Sequence, residues 1–451
     1  MKQRPRWLSD GRLLALLVIA GIAIKVPIAI FYLQGFGIDE SIYIATARDY
    51  AETGVFGIRT ESNDFGFIAP MLSFLMAGFY KVFGESGPLM VAPIFGSLTV
   101  IPFYYIGKSL IGPAAGRLAA VLVFFNPAFF LLNTRPLTET LGFFMMSTAV
   151  MFLVLGFKDR RNWIAVLPLF LMTFLTRYPY GILLIAFVVL ALLFQKSVRQ
   201  FLCRYSLVGL VLAVLIAAPW MAYNQTNYGT LLGGPAKQGS ADIGFDFLKG
   251  TWYIPYAAIV LGATFPFAVY GFFRSIRERK NVLMLIGVAV IFLVQFAMFS
   301  KTVEERYILP VLLFATMLSV FGYDNMRGRM GKWVGYALVG MLILNALAAV
   351  YAVNLFAHLP KYSDTRDALL WVKDNCDGEL LANLHTPVYN ILGRDALHPT
   401  FTDDGDRKIV ESRNVRCVIA TSYEAPYKDF FQNLSSGEKV SFGKINVYKI
   451  K

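Results

Sequence analysis

The sequence predicts an α-helical polytopic membrane protein of about eleven transmembrane helices with further helices at the outer membrane surface, followed by a small extracytoplasmic α/β domain. Its 451 residues are 57% hydrophobic and only 16% charged, whereas soluble proteins carry about 25% charged residues. Apolar runs of about 20 residues, the length of one helical pass, recur through residues 1–357. Residues 358–451 instead alternate charges with short apolar runs. This composition excludes a cytosolic enzyme, a disordered chain and a disulfide-stapled secreted scaffold.

The distribution of charge favours a membrane protein over a nucleic-acid-binding one. The formal net charge is +13, but residues 1–357 hold 29 basic and 16 acidic residues, whereas residues 358–451 hold 13 of each. Most of the excess falls in short basic clusters between apolar runs, as in positive-inside loops. We therefore expect membrane lipid and no nucleic acid as a partner. The clusters are Lys2/Arg4/Arg6/Arg12, Lys108/Arg117, Lys158/Arg160/Arg161, Lys196/Arg199/Arg204, Arg274/Arg277/Arg279/Lys280 and Arg327/Arg329/Lys332.

The positions of these clusters predict the topology. The first apolar run, Leu13–Leu33, follows a basic N-terminus and lacks a small-residue cleavage site, so we interpret it as a retained helix. If it enters from the cytoplasm, Asp39 emerges outside, and keeping every basic cluster inside places the C-terminus outside a cell membrane. The further predicted passes are 89–108, 115–134, 139–157, 163–176, 179–195, 205–221, 253–273, 282–299, 307–323 and 333–356.

One apolar segment, residues 67–83, does not fit this count, because treating it as a span would turn every later basic cluster outward. It is short and contains Pro70, Gly78 and Lys81. We predict an interfacial or re-entrant helix on the outer side. The alternative is that it spans the membrane and another weak run does not.

The outer loops hold the candidate chemistry. Asp39 and Glu40 follow the first helix, and a helical reading places Asp39, Tyr43 and Ala47 on one face. An ordinary acidic helix start explains the Asp-Glu pair equally well. Glu139 begins another helix at the same predicted face.

Cations are predicted near that face as well. Arg177 and Tyr178 lie in one outer loop, and Arg306 and Tyr307 lie in another. Lys25, inside the first helix, is a functional candidate because ionisable residues at membrane depth are costly, although it is also placed to snorkel. Arginine and lysine bind phosphate, and a carboxylate can accept a proton from an attacking hydroxyl. Together these groups suit transfer from a membrane-embedded phosphate donor.

These residues resemble a known family. Asp39-Glu40 with Tyr43, Ala47 and Arg48 is similar to the acidic motif in the first outer loop of the GT-C glycosyltransferases, within the polyprenyl-phosphate-dependent branch of protein O-mannosyltransferases and the lipid A aminoarabinose transferase. Thr138-Glu139, Thr176-Arg177 and Glu305-Arg306-Tyr307 resemble later positions of that family. The resemblance runs from residue 13 to about 325. The chain departs from it in two ways. It lacks the long outer loop of protein O-mannosyltransferases, and the region just before Pro70 contains Glu61 and Asp64 but no lysine.

The resemblance implies inverting transfer of a sugar from a polyprenyl-phosphate donor to a hydroxyl on a glycan, lipid or protein. Asp39 would be the general base, while Glu40 and Glu139 would orient the acceptor or sugar, or hold a divalent ion. The resemblance does not by itself require a cofactor, a bound divalent cation is kept as an alternative, and no metal ligands are assigned. The leaving phosphate would be neutralised by Arg177 and Arg306, with Lys25.

Five further residues complete the expected substrate site. Tyr43, Glu61 and Asp64 would contact substrate. Tyr178 and Tyr307 would pack on the sugar or prenyl chain, although both also suit the aromatic belt of a membrane protein.

The tail is interpreted as a separate domain, 358–451, after a membrane domain, 1–357. Ser363 is expected to cap a helix over 364–373, strands are expected at 379–383, 416–421 and 444–449, and a helix at 427–434. Adjacent parallel strands would bring Cys376 and Cys417 into disulfide range. The domain either supports the structure or shapes the acceptor entrance.

Two other functional classes remain. A transporter or flippase for a lipid-linked solute commonly shows internal repeats and interrupted helices, and the sequence shows no repeat. A non-catalytic subunit of a glycosylation complex would tolerate loss of Asp39, whereas the enzyme would not.

Overall fold

A computed structural model describes the chain over residues 10–32, 38–56, 59–60, 63–64, 68–229, 246–279, 281–299, 304–358, 360–382, 415–421, 438–442 and 445–449. It divides into two compact units. The first comprises residues 1–27, 67–72 and 89–352, and the second comprises 28–66, 73–88 and 353–451. The division predicted from the sequence, at 357/358, instead placed residues 28–66 and 73–88 with the membrane helices.

Helices dominate the described part of the chain. They are α1 (Asp10–Pro27), α2 (Ile38–Thr53), α3 (Pro70–Phe83), α4 (Gly87–Leu98), α5 (Val100–Leu110), α6 (Pro113–Phe124), α7 (Pro127–Leu132), α8 (Thr138–Gly156), α9 (Val166–Thr176), α10 (Tyr178–Phe194), α11 (Val198–Phe201), α12 (Arg204–Tyr228), α13 (Phe247–Gly250), α14 (Tyr253–Leu261), α15 (Phe265–Glu278), α16 (Val282–Phe299), α17 (Val311–Met330), α18 (Lys332–Ala357) and α19 (Pro360–Asn375). A π-helical turn, Ile28–Tyr32, follows α1, and 3₁₀ turns occur at Gly84–Ser86, Arg160–Ala165, Gly262–Thr264 and Glu305–Ile308.

The predicted fold class is confirmed, but with fewer long spans than the expected eleven. Among the described residues, six helical stretches are long and apolar enough to cross a membrane, and three shorter apolar helices accompany them. The six are Asp10–Tyr32, Pro70–Leu110, Thr138–Gly156, Arg204–Thr226, Leu248–Glu278 and Lys332–Ala357, and the three are Pro113–Phe124, Tyr178–Phe194 and Val282–Phe296.

Two local features account for part of the lower number, and a third concerns a segment that was left out of the predicted passes. The predicted pass 115–134 is split before Pro127, because proline disfavours a helical conformation at the residue before it and Asn126 instead caps α7 by accepting the Phe129 N–H at 2.8 Å. The predicted pass 163–176 is α-helical only from Val166. The segment 67–83 is helical from Pro70 and belongs to the continuous stretch that ends at Leu110. Whether this segment crosses the membrane stays a prediction.

Close helix packing in the first unit depends on glycine. The helices α15 and α17 meet at Gly271 and Gly322. A Cβ atom on Gly271 would lie 2.0 Å from the Leu318 carbonyl oxygen, and one on Gly322 would lie 2.2 Å from the Phe267 carbonyl oxygen. Small residues of this kind let helix backbones approach closely in membrane proteins.

The second unit contains α2, most of α3, α19 and two sheets. One sheet pairs β1 (Arg59–Thr60) with β2 (Asn63–Asp64) in antiparallel fashion. The other has the order β3-β4-β6-β5, in which the first pair is parallel and the others are antiparallel. Apolar residues of α19 and of this sheet form a buried core. The strands of the larger sheet are β3 (Glu379–Ala382), β4 (Val415–Thr421), β5 (Glu438–Phe442) and β6 (Ile445–Lys449).

The expected α/β character of the tail is confirmed, with two differences. The first tail helix begins at Pro360 rather than at a Ser363 cap, since proline is tolerated in a first turn, where its missing N–H has no helical partner. Strand β5 was not predicted. The helix expected at 427–434 lies outside the described residues.

Cys376 and Cys417 form a disulfide, as the parallel arrangement of β3 and β4 predicted. Their Cα atoms are 6.2 Å apart, and 41 positions separate them in sequence. Both side chains are buried, and the bond joins the end of α19 to β4. It therefore closes a long loop within the second unit.

We expect the double variant Cys376→Ser/Cys417→Ser to lower the stability of the second unit by about 4 kcal/mol, the chain-entropy value for a loop of this length. Limited proteolysis with rising temperature should then cleave residues 360–449 at a lower temperature than in wild type, while α8–α10 stay protected. Cys203→Ser, at the free cysteine, is the control. Unchanged cleavage temperatures would show that the bond contributes nothing to stability.

Candidate active site

Glu139 occupies the first turn of α8. Pro136 keeps the preceding segment out of a helix, and α8 starts two residues later, with Leu137 extended before it. A carboxylate in the first turn suits the helix dipole. Glu139 is nevertheless fully buried, so its charge needs close cationic partners.

Arg177 provides one of these partners. It is an extended residue between α9 and α10, ending one helix and preceding the other. Its Nη1 atom lies 3.2 Å from Glu139 Oε1 and donates to Thr138 Oγ1 at 3.0 Å. The Thr138 hydroxyl in turn donates to Glu139 Oε2 at 3.3 Å. These contacts hold the guanidinium at the start of α8.

Arg306, on the 3₁₀ turn Glu305–Ile308, is the second cationic partner of Glu139. Its Nε atom lies 3.4 Å from the same oxygen, Glu139 Oε1, and also donates to Glu304. Two arginines from distant parts of the sequence therefore meet at one buried carboxylate, and because Arg306 also pairs with Glu304, the two cations face two carboxylates. Both guanidinium groups keep some exposure, with side chains 14% and 19% accessible for Arg177 and Arg306.

Tyr307 packs beside both guanidinium groups. The Arg177 and Arg306 guanidinium carbons lie 5.1 and 5.6 Å from the centre of its ring. Gln295 Nε2 donates to the Tyr307 carbonyl oxygen at 2.9 Å. Burial, with the Glu304 charge, raises the pKa of the Tyr307 phenol, so that it stays protonated and can donate a hydrogen bond. Tyr178, the first residue of α10, packs instead against α9, where the centre of its ring lies 4.9 Å from that of Phe174.

Tyr180 and Gly142 are two residues of this site that the sequence interpretation missed. Tyr180 is fully buried, lies 5.4 Å below the Arg177 guanidinium, and its hydroxyl donates to the Arg306 carbonyl oxygen at 3.5 Å. A Cβ atom on Gly142 would lie 3.1 Å from Tyr180 Cδ2 and 3.4 Å from Arg177 Cβ. A glycine three positions after Glu139, on the same helix face, was the available signal.

Asp39 and Glu40 lie in the first turn of α2, in the second unit. Asp39 is partly exposed, whereas Glu40 is 3% exposed. Tyr43, one turn later, is partly buried, and its carbonyl oxygen accepts from Ser73 Oγ at 3.4 Å. Farther along the helix, Arg48 forms an ion pair with Glu85. The structure therefore confirms that a helix carries this motif.

Lys25 is buried rather than snorkelling, with 2% exposure. Its ammonium group lies 5.4–5.9 Å from the ring centres of Phe124, Phe129 and Phe130. The described residues provide it with no ion pair, and its contacts are with aromatic rings rather than with Arg177 or Arg306.

Side-chain contacts are not described for Glu61 and Asp64, two of the predicted substrate residues. Glu61 lies outside the described residues, and Asp64 is described only by its backbone pairing in β2. In the part of the chain that is described, no group of three or more histidine, cysteine or acidic residues is arranged to hold a metal ion.

The chain resembles known proteins in part of its sequence and in its fold. A protein-family profile described as dolichyl-phosphate-mannose-protein mannosyltransferase matches residues 68–223. The structure of ArnT from Cupriavidus metallidurans bound to undecaprenyl phosphate aligns with a TM-score of 0.74 and 13% identity, covering 96% of this chain and 97% of that one. Its apo form aligns with a TM-score of 0.73 and 15% identity over 98% of both chains. The chain has the GT-C fold.

Other solved structures extend this GT-C likeness. The Archaeoglobus fulgidus oligosaccharyltransferase in complex with zinc and sulfate aligns with a TM-score of 0.65 and 13% identity, covering 91% of this chain and 68% of that one. No curated protein matches by sequence. The near-complete coverage by ArnT includes the tail, where the sequence resemblance was loose. The profile match contains Glu139 and Arg177, whereas Arg306 lies beyond it.

We expect Gly142→Ala to raise the KM for a polyprenyl-phosphate sugar about tenfold, corresponding to about 1.4 kcal/mol. The added methyl group must displace Tyr180 and with it the Arg177 guanidinium, and overpacking of this kind typically costs about 1–3 kcal/mol. Steady-state kinetics with varied donor measures the change. Gly340→Ala, on α18 where a Cβ atom meets nothing within 4 Å, is the control, and equal kinetics for both variants would contradict the expectation.

Proposed function

We propose that the chain is an inverting membrane glycosyltransferase that moves a sugar from a polyprenyl-phosphate donor to a hydroxyl acceptor at the outer face of the membrane. The observation that carries this proposal is the cluster in which Arg177 and Arg306 share the buried Glu139 carboxylate. The cluster holds two guanidinium groups on partly accessible side chains, one between α9 and α10 and the other on the 3₁₀ turn before α17. It therefore suits the phosphate of a lipid-linked donor.

The chemistry of the cluster matches the departing group. Glycosyl transfer from a phosphate donor leaves a phosphate monoester, whose negative charge increases as the bond to the sugar breaks. Charge-assisted hydrogen bonds from arginine stabilise this charge, and groups that are already positioned need no reorganisation at the moment of reaction. The protonated Tyr307 phenol, adjacent to both guanidinium groups, adds a neutral donor.

The contacts of Glu139 favour a different role from the one its sequence motif implied. Contact with the acceptor or sugar, or with a divalent ion, was expected. Its oxygen atoms instead face Arg177, Arg306 and Thr138. We assign it the positioning of the two arginines.

The similar proteins support a lipid phosphate donor. The ArnT structure contains undecaprenyl phosphate, and a structure of the Archaeoglobus fulgidus oligosaccharyltransferase AglB contains dolichol-phosphate and an inhibitory peptide, with a TM-score of 0.56 and 13% identity over 91% of this chain and 70% of that one. The matching family profile is named for a dolichyl-phosphate-mannose donor. Each of these names includes a phosphate on a long isoprenoid chain, which is the carrier that we propose for the sugar donor here.

In the proposed step, the Asp39 carboxylate accepts the proton of the acceptor hydroxyl. The hydroxyl oxygen then forms a bond to the anomeric carbon of the sugar, and the bond from that carbon to the phosphate oxygen breaks. The electron pair leaves with polyprenyl phosphate, and the anomeric configuration inverts. Glu40 and Tyr43 on the same helix, and Tyr178, are proposed to orient the sugar or the acceptor, and Lys25 to add positive charge.

The proposed location is a cell membrane, with a cytoplasmic N-terminus and an extracytoplasmic C-terminal region. The chain is a multi-pass membrane protein by its apolar helices and its fold. The Cys376–Cys417 bond supports an outer location for the tail, because disulfides persist in oxidising compartments.

The test is purification in detergent followed by incubation with a panel of polyprenyl-phosphate hexoses and pentoses and an extract of acceptors. Release of polyprenyl phosphate together with a glycosylated product of inverted anomeric configuration is expected. Parallel reactions with a chelator report any dependence on a divalent ion. Absence of release with every donor, or retention of configuration, would contradict the proposal.

A further inference from the structure

Three arginines meet at the junction between the 3₁₀ turn Arg160–Ala165 and the start of α12. Arg204 Nη2 donates to the Tyr205 hydroxyl oxygen at 2.9 Å, and its guanidinium carbon lies 4.9 Å from the centre of the Tyr205 ring. Arg161, on the 3₁₀ turn, also acts electrostatically on the Tyr205 phenol. Arg160 acts electrostatically on Cys203, the residue before α12. We refer to Arg160, Arg161 and Arg204 as the arginine cluster.

No carboxylate in the described part of the chain balances the charge of the arginine cluster. Within the ranges that the structure describes, none of its members forms an ion pair with a carboxylate. Asp159, the adjacent acid, accepts the Arg161 backbone N–H at 3.0 Å instead. Arg204 also lies at a helix N-terminus, where the dipole disfavours a cation. A bound anion would relieve this repulsion.

An apolar surface continues from the cluster along α12. Leu207, Val211 and Leu215 are each more than half exposed, and only 22% of this candidate span is buried within the protein. In a bilayer, such a surface faces acyl chains. A cationic site next to an apolar helix face is complementary to an anionic lipid. The phosphate would lie at the arginines, and the acyl chains would lie along the helix.

The geometry of α8 separates this site from the proposed donor site. Glu139 lies at the start of α8, and the segment that carries Arg160 follows its end at Gly156. A helix of 19 residues is about 28 Å long at 1.5 Å per residue, close to the thickness of a bilayer core of about 30 Å. A donor phosphate bound by Arg177 and Arg306, as proposed above, would therefore lie too far away to reach the arginine cluster as well.

We propose that the arginine cluster binds the phosphate of an anionic phospholipid whose acyl chains lie along the exposed face of α12. The guanidinium groups donate charge-assisted hydrogen bonds to the phosphate oxygens. Tyr205 lies beside two of these groups, those of Arg161 and Arg204. This proposal does not depend on the proposed enzymatic activity. It predicts a structural lipid in the leaflet opposite the one that holds the donor.

Lipid binding to the purified, delipidated protein tests the proposal. Native mass spectrometry and thermal stability are measured with phosphatidylglycerol and with phosphatidylcholine of the same chains. Wild type is expected to bind phosphatidylglycerol at least tenfold more tightly and to be stabilised by it. The double variant Arg161→Gln/Arg204→Gln is expected to lose this preference while keeping its stability in phosphatidylcholine.

The matched control is Arg327→Gln/Arg329→Gln, which removes the same charge from an exposed helix end and should keep the preference. Inorganic phosphate and glycerol 3-phosphate form a separate arm, because a site for free phosphate shares the same chemistry. Equal binding of the two lipids to wild type, an unchanged preference in the Arg161/Arg204 variant, or stabilisation by free phosphate equal to that by the lipid would each overturn the proposal.

Discussion

Asp39→Asn is expected to lower the rate of sugar transfer by about 10²- to 10⁴-fold, the usual contribution of a general base. Asparagine keeps the size of the side chain but cannot accept the acceptor proton. Because Asp39 is partly exposed in the first turn of α2, the exchange should leave the fold intact. Affinity for polyprenyl phosphate should also be unchanged, since this product carries no acceptor hydroxyl.

The measurement is release of polyprenyl phosphate under single-turnover conditions, with binding of the product followed separately. Asp374→Asn, at an exposed position of α19, controls for the loss of one carboxylate. Equal release by wild type and Asp39→Asn would show that Asp39 is not the base. A transporter or a non-catalytic subunit would show no release in either protein, so this measurement separates the enzyme from both of the other classes.

Arg306→Gln is expected to lower kcat/KM for the donor by about 10²- to 10³-fold, as does removal of one positioned donor from a developing oxyanion. Two effects act together, because the leaving phosphate loses a cation and Glu139 keeps only Arg177 as its charged partner. Breaking a buried pair by removing one partner is itself destabilising, typically by about 3–5 kcal/mol. The melting temperature must therefore be measured alongside the kinetics.

A double-variant cycle separates these effects. Arg177→Gln and Arg306→Gln should be strongly non-additive, because both residues contact the same oxygen of Glu139 and, in the proposal, the same phosphate. Arg327→Gln, an exposed arginine at the end of α17, is the matched control. Additive effects on donor affinity, or an affinity equal to that of wild type, would remove the two arginines from a shared phosphate site.

Much of the local structure could be predicted from the sequence because local patterns encode it. Apolar runs marked the membrane helices, the strand at 379–383 appears as β3, and acidic residues at 39 and 139 begin helices. The pairing of Cys376 with Cys417, which adjacent parallel strands allowed and the sequence left open, is present in the structure. Boundaries were less accurate where proline intervened, as at Pro127 and Pro360.

The environment of Glu139 illustrates what local patterns do not contain. The sequence showed one acid and two arginines in loops on one predicted face, and this led to an expected contact with the acceptor or sugar, or with a metal ion. The structure brings all three side chains to one buried oxygen. Tyr180 showed no recognisable signal, and Gly142 showed only its position three residues after Glu139, because the importance of both lies in one ring packing against one guanidinium.

The sequence by itself determined the membrane class, the position of most helices, the α/β tail and the set of charged residues available for chemistry, since hydropathy, charge and turn residues act over a few positions along the chain. Tertiary structure alone decided that Glu139 holds Arg177 and Arg306 together, that Lys25 lies among aromatic rings, and that arginines 160, 161 and 204 form one cluster. Each of these depends on which helices pack against one another and on how closely they approach. In a membrane protein, this approach is set by small residues such as Gly142, Gly271 and Gly322 rather than by the apolar pattern, which is much the same for every helix.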